Sequence, residues 1–293
     1  MNGILLVDKP AGWTSMDVCA RLRGALHEKR VGHAGTLDPM ATGLLVVFLG
    51  RATRAVQFAE ADGKTYLAAL RLGVTTDTQD TSGTVLAEHE VDITNEQLDG
   101  ALARFRGEIA QVPPMYSALK VNGRKLCDLA RKGREVTRAP RPVTISELTR
   151  CGTDAAGDIL LRVSCSKGTY IRTLCHDVGA ALGCGGAMSA LRRVRAGAFS
   201  VDDAHPLEEI LAAAEAGRAE ELLLPVETLF AACPALTLSP AQERALRNGV
   251  RWTCPLPEQT YRLYGADGAF LAIGAPAEGK MRAIKSFFEV SDP

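Results

Sequence analysis

The stretch Gly32-His33-Ala34-Gly35-Thr36-Leu37-Asp38-Pro39-Met40-Ala41-Thr42-Gly43 concentrates turn-forming residues around one carboxylate. Its three glycines permit positive φ and let a second backbone approach closely. Asp38 precedes Pro39, which biases it toward an extended conformation. A carboxylate presented on such a loop can be an active-site group, and the same residues also make an ordinary Asp-Pro turn. Three further segments carry usable chemistry. In Lys64-Thr65-Tyr66-Leu67-Ala68 the Tyr66 ring can pack in a core or stack on a nucleobase, worth roughly 1–3 kcal/mol. Ser166–Leu174 reads as a strand–turn–helix junction whose helix start can receive phosphate, with Arg172 one turn in or paired with a surface acid. Pro113-Pro114-Met115-Tyr116-Ser117-Ala118-Leu119-Lys120 is a rigid element leading into a basic region. Taken singly, none of these decides a function.

The elements that must hold these residues are legible in outline. Ile4–Val7 predicts a buried strand, ended by the turn signal Lys9-Pro10-Ala11-Gly12. Thr14 or Ser15 can cap a helix running to about His27, with Val18, Cys19, Leu22 and Leu26 on one face. The spacing predicts a loop over 32–39, strands at Leu44–Leu49 and Lys64–Leu72, and a helix over 95–105. Strands follow at 142–149 and 158–165, the second alternating Ile159, Leu161 and Val163 against Leu160 and Arg162, then a helix from Thr169 to Leu182. Residues 200–230 read as an acidic helical stretch. Past Pro234 a short helix (240–248) and brief strands near 261–264, 269–274 and 283–290 suggest a small β-rich domain. Without a regular βαβ rhythm, the fold class expected is α+β with a largely antiparallel mixed sheet and flanking helices. The expected division is a domain over 1–232 and a second over 235–293.

Composition narrows the partner. Among 293 residues, 46% are hydrophobic and 23% charged, which suits a globular chain with a substantial core. The opening residues predict no signal peptide, and the longest apolar run, Leu44–Leu49, is far short of the ~18 residues a membrane span requires. A cytoplasmic monomer is expected. Eight scattered cysteines without a C-x-x-C pair, and five dispersed histidines, argue for reduced thiols and no metal. Formal net charge is zero, yet charge is segregated. Residues 120–141 hold eight Lys/Arg, including Lys120, Arg131, Lys132 and Arg134, against Asp128 and Glu135. Residues 77–99 hold seven acids and no Lys or Arg, and 200–235 hold eight acids against Arg218. Such segregation can build a basic face for nucleic acid on a neutral protein, or be plain solvated surface.

Together, the segments resemble one family. Gly32–Gly43 is similar to the G-H-x-G-[ST]-L-D-P-x-A-T-G signature of the tRNA pseudouridine-55 synthases, the TruB family. Asp8-Lys9-Pro10 with Gly12-Trp13-Thr14-Ser15, Lys64–Tyr66, Pro113–Lys120, Lys167–Arg172 and Ser189-Ala190-Leu191-Arg192-Arg193 match in the same order, over about residues 3–230. The resemblance implies a pseudouridine synthase-like fold and an enzyme that isomerises uridine 55 in the tRNA T-loop after flipping the base out. It implies no cofactor and no metal. Asp38 would be the catalytic aspartate, as nucleophile or as base at the ribose. Tyr66 would stack on the flipped uracil and is a candidate to remove the C5 proton. Arg172 would pair with Asp38 and aim its carboxylate. His33 would enter the T-loop, Tyr170 and Leu191 would line the pocket, and Lys9, Lys120, Arg131, Lys132 and Arg134 would contact substrate. The tail resembles PUA-like RNA-binding domains in length and texture, with contact to the acceptor stem as the implied role. A catalytically silent tRNA-binding or tRNA-folding scaffold is the rival expectation. A nucleotidyltransferase would want an H-x-G-H phosphate site, and the sequence has none.

Overall fold

The computed structural model describes residues 1–61, 63–121 and 123–289. Its centre is a ten-stranded mixed sheet. From one edge the strands run His205–Pro206, Gly3–Lys9, Thr42–Leu49, Gly186–Ala196, Lys64–Leu72, Ile159–Cys165, Arg141–Thr153 and Gly107–Gln111. Val31–Ala34 lies beside Thr42–Leu49, and Phe199–Ser200 beside Gly186–Ala196. Among the described strands of this sheet, only the 3–9/205–206 and 42–49/186–196 pairings are parallel. This is the α+β class that the irregular element rhythm implies.

The apolar run at 44–49 is buried because both faces of its strand are covered. Successive side chains point to opposite faces, so Leu44, Val46 and Phe48 enter one core cluster and Leu45, Val47 and Leu49 another. The second cluster takes Val18, Cys19, Leu22 and Leu26 from the helix Ser15–Ala25 and its C-cap. That helix starts in a capping box, Thr14 and Asp17 satisfying each other's backbone N–H. A third cluster joins Tyr66, Ala68 and Leu70 to Leu161, Val163, Met188 and Leu191. Over it lies the helix Ile171–Leu182, with Ile171, Leu174, Cys175 and Val178 turned inward at helical spacing.

Three sequence expectations change. Residues 31–34 are strand rather than loop, because Gly186–Ala196 pairs only with Thr42 and Gly43 and leaves the rest of that edge open. Within 200–230 only Leu207–Glu215 is α-helical; Gly217 at φ +70° and Pro225 break the remainder into short 3-10 turns. The sheet also gains the long central strand Gly186–Ala196, whose three arginines disguise its alternation.

Residues 235–286 form a separate five-stranded sheet with the helix Pro240–Arg247 and its own core of Leu238, Leu246, Tyr261, Leu263, Leu271 and Met281. The last expected strand ends at Ser286, and its expected end at Val290 lies outside the described residues. Phe270 and Phe287 stack at 5.4 Å between ring centres and meet Phe230, which also touches Phe58. Arg51 Nε and Arg54 Nη1 donate to the Phe287 and Ser286 carbonyls. No helix among the described residues is long and apolar enough to cross a membrane.

Candidate active site

The loop bearing Asp38 is clamped from below by the turn that follows the first strand. Lys9, fully buried, donates from Nζ to the carbonyls of Pro10, Trp13 and Pro39. Ser15 Oγ accepts from the Leu37 N–H at 2.9 Å, and the Gly12 N–H donates to the Pro39 carbonyl. Ala41 N–H closes a turn onto the Asp38 carbonyl. Gly43 ends the loop at φ +95°, where a Cβ would lie 2.4 Å from the Arg193 carbonyl oxygen, so only glycine lets the two strands meet. The loop is thus a rigid bracket. Burial lowers Lys9 to about 8, opposed by the nearby Asp38 carboxylate and reinforced by Arg193.

Against this bracket the helix Ile171–Leu182 presents Arg172, its second residue. The helix start is set by Gln111, whose carboxamide accepts from the Tyr170 N–H and donates to the Tyr170 carbonyl. Arg172 Nε and Nη2 donate to the two oxygens of Asp38 at 2.9 and 3.2 Å, a bidentate geometry that fixes the carboxylate's direction. Nη1 donates to the Thr78 carbonyl and Nη2 also to the Tyr116 carbonyl. One guanidinium therefore ties together the Asp38 loop, the 76–80 turn and the Pro-Pro element. The Arg172 side chain is 7% exposed and that of Asp38 34%, so the cation lies inside and the carboxylate faces out.

Asp80 stands 3.7 Å from Arg172 Nε on the buried side. Its Oδ1 accepts from Thr78 Oγ1, Ser82 Oγ and the Ser82 N–H. Gln79, at φ +64°, makes the sharp turn that puts Thr78 O and Asp80 on the same guanidinium. Sequence reasoning missed Asp80; the hydroxyls flanking it at Thr78 and Ser82 were the available signal, since an exposed acid needs no such cage.

Tyr66 is 9% exposed in Lys64–Leu72, with Leu191 of the neighbouring strand in the same cluster. Burial raises the Tyr66 phenol, and the charge of the Arg193 guanidinium pulls the other way. The Asp38 charge also acts on Tyr66. Tyr170 caps the Arg172 helix and is half-buried. His33, on Val31–Ala34, is half-buried with a buried Nδ1 that has no hydrogen-bond partner among the described residues; burial first, then Arg193, lowers its pKa. Asp38, Arg172, Asp80, Tyr66, Leu191 and Arg193 therefore converge, with His33 and Lys9 within electrostatic reach. Arg131, Lys132 and Arg134 are not part of this cluster: they are exposed on the turn after Leu126–Ala130 and form no ion pair with a described residue. Lys120 sits in a two-residue strand paired with 124–125, and its side chain lies outside the described structure. A cleft of about 780 Å³ lined by Leu72, Ile93, Leu98, Arg71 and Asp158 opens at the other end of the Tyr66 strand and includes none of these groups.

The arrangement offers an outward-facing carboxylate aimed by a buried arginine, a buried tyrosine within its electrostatic reach, and an apolar wall. Known proteins share this chain's make-up. Residues 23–171 match the family described as TruB family pseudouridylate synthase (N terminal domain), and 172–231 the tRNA pseudouridylate synthase B C-terminal domain. The chain is 47% identical over 294 residues to a protein of Ralstonia nicotianae named tRNA pseudouridine synthase B, covering 96% of this chain and 93% of that one. A protein of the same name from Dechloromonas aromatica is 44% identical, covering 100% and 97%. Among solved structures, a chain from a Cbf5-Nop10-Gar1 complex aligns with TM-score 0.74 at 26% identity, covering 98% of this chain and 85% of that one. A chain from an H/ACA RNP bound to a substrate RNA containing 2'-deoxyuridine aligns at TM-score 0.73 and 24% identity, over 98% and 86%, a likeness of fold.

Proposed function

This chain belongs to the TruB family of pseudouridylate synthases, and from that membership we infer that it isomerises uridine to pseudouridine in tRNA. The finer reading is the T-loop uridine at position 55, acted on by Asp38. The observation that carries it is the bidentate Arg172–Asp38 pair at a partly open position beside Tyr66.

The chemistry asks little of the protein beyond placement. N1–C1′ breaks, the base turns, and C5–C1′ forms, with no net redox change or hydrolysis. A base stacked in the loop must first be flipped out, a step costing a few kcal/mol. The Tyr66 ring and Leu191 then supply an apolar bed for the uracil, Tyr170 the pocket edge, and Asp38 the group that acts at the ribose or C1′. Arg172 fixes where that carboxylate points, and Asp80 keeps Arg172 from following the substrate outward. Lys9 acts through the backbone it clamps rather than by touching RNA. Arg131, Lys132, Arg134 and Lys120 supply phosphate contacts, which set affinity more than selectivity. The five-stranded sheet of 235–286 is assigned to the acceptor-stem side, the 1–232 unit to catalysis, and the cytoplasm to the whole.

The deciding experiment incubates purified protein with an unmodified tRNA transcript in EDTA and maps pseudouridine. Conversion of one T-loop uridine, lost in Asp38→Asn while tRNA binding persists, is the expected result. Substantial conversion by Asp38→Asn removes Asp38 from the chemistry. Tight binding without conversion by the wild type favours a silent tRNA-binding scaffold.

A further inference from the structure

Two arginines are buried at this site, and they obey opposite electrostatic logic. Arg172 lies between two carboxylates. Arg193 is 1% exposed and has no carboxylate within ion-pair distance among the described residues. Burying an unpaired guanidinium is strongly unfavourable, and an apolar residue of similar size would fill the same space without that cost. Its other contacts relieve the cost only in part: Nε donates to the Leu44 carbonyl at 2.7 Å and Nη2 to the Gly35 carbonyl at 2.9 Å. The loop makes way for it, since a Cβ on Gly35 would lie 3.2 Å from Nη1. The remaining partner is Tyr66. The two residues are directly opposite across the antiparallel pair of strands, and the guanidinium charge acts on the phenol. Period-two alternation puts Arg193 on the same strand face as Leu191, toward the site.

We propose that Arg193 is a positioning residue for Tyr66, holding its hydroxyl in place and supporting a transient phenolate during the proton transfer that completes the isomerisation. This rests on the reading of the chain as a pseudouridine synthase in which Tyr66 handles the C5 proton. The reaction moves one proton from C5 to N1. In the C5-linked adduct the phenol releases its proton to N1 through solvent water, and the phenolate oxygen takes the proton from C5. The C5–H electron pair closes the C5=C6 bond, N1 ends protonated and the phenol is regenerated, so no outside acid or base is consumed. An uncompensated cation beside the oxygen favours its anion. The other groups facing this pair are Lys9 from the first strand, His33 from Val31–Ala34, Asp38 from the loop, Lys64 from Tyr66's own strand, Cys165 from the strand opposite and Arg172 from the helix. The other cations of this set are already engaged, Arg172 by carboxylates and Lys9 and Lys64 by carbonyls.

The test compares single-turnover conversion of ordinary tRNA and tRNA carrying 5-deuterouridine. Arg193→Met is expected to slow conversion about 100-fold, the lower end of what general acid–base help contributes, with tRNA affinity unchanged. It should also make the deuterated substrate visibly slower, because C5 deprotonation becomes limiting; Arg193→Lys should recover part of the rate. In a Tyr66→Phe background Arg193→Met should add little. An equal loss in both backgrounds, or no isotope effect in Arg193→Met, overturns the proposal. Independently of any change at 193, 3-fluorotyrosine at position 66 acidifies the phenol and should move the pH–rate profile to lower pH; an unmoved profile overturns the phenolate. Wild-type protein that makes no pseudouridine sinks the underlying assignment instead.

Discussion

Replacing Arg172 by lysine keeps the charge and removes the fork, so it isolates geometry from electrostatics. From three nitrogens Arg172 donates to three separate segments: both oxygens of Asp38, the Thr78 carbonyl and the Tyr116 carbonyl. An ammonium is one point with three donors, and it can hold one Asp38 oxygen and one carbonyl. Two charge-assisted hydrogen bonds then disappear, each worth about 1.5–3 kcal/mol. One falls on the carboxylate's aim, which should lower the single-turnover rate by roughly 100-fold, since about 1.36 kcal/mol is tenfold in rate. The other leaves a buried carbonyl unpaired and should cost about 1–3 kcal/mol of stability in urea. The assay is conversion of tRNA by excess enzyme, with binding measured separately by filter retention. A folded Arg172→Lys protein that converts tRNA within about threefold of wild type would refute the argument that the bidentate geometry aims Asp38.

Other outcomes follow from the same packing. Gly43→Ala would push a Cβ to 2.4 Å from the Arg193 carbonyl at φ +95°, and should cost about 2–4 kcal/mol in a urea titration. Gly100→Ala, in an exposed helical position with open space around it, should instead gain about 0.5–1 kcal/mol. Lys9 at about 8, below its unfolded 10.5, carries fewer protons folded than unfolded between those values. Wild-type stability should therefore rise relative to Lys9→Met as pH climbs from about 8 to 10.5 and show no such difference in slope below that window. Substituting Arg131, Lys132 and Arg134 together should flatten the log–log salt dependence of tRNA binding by up to about one unit for each phosphate left without its cation; an unchanged slope assigns them to plain surface.

Much of the local structure was written in local spacing. Alternation and apolar runs placed the strands at 4–7, 44–49 and 64–72, and the capping residues at 14–15 placed the first helix, because side-chain period and capping are properties of neighbouring residues. The glycines likewise marked 32–43 as a tight turn segment, while spacing alone left Asp38 as either an exposed functional carboxylate or an ordinary Asp-Pro turn. The strand at 31–34 was not legible, since it forms only where a distant strand stops pairing beyond Thr42 and Gly43. The helical stretch expected over 200–230 is helical only in pieces: composition favoured helix, while Gly217 and Pro225 limit the α-helix to Leu207–Glu215 and leave short 3-10 turns elsewhere. The site divides along the same line. Resemblance of the ordered motifs to a known family, rather than any one segment, put Asp38, Tyr66 and Arg172 forward. That Arg172 reaches Asp38 across 134 positions, that Asp80 closes in behind it, and that Arg193 faces Tyr66 without an acid are consequences of strand order and register. Electrostatics at a buried site is set by what lies within a few ångströms, and only the folded chain determines which residues those are.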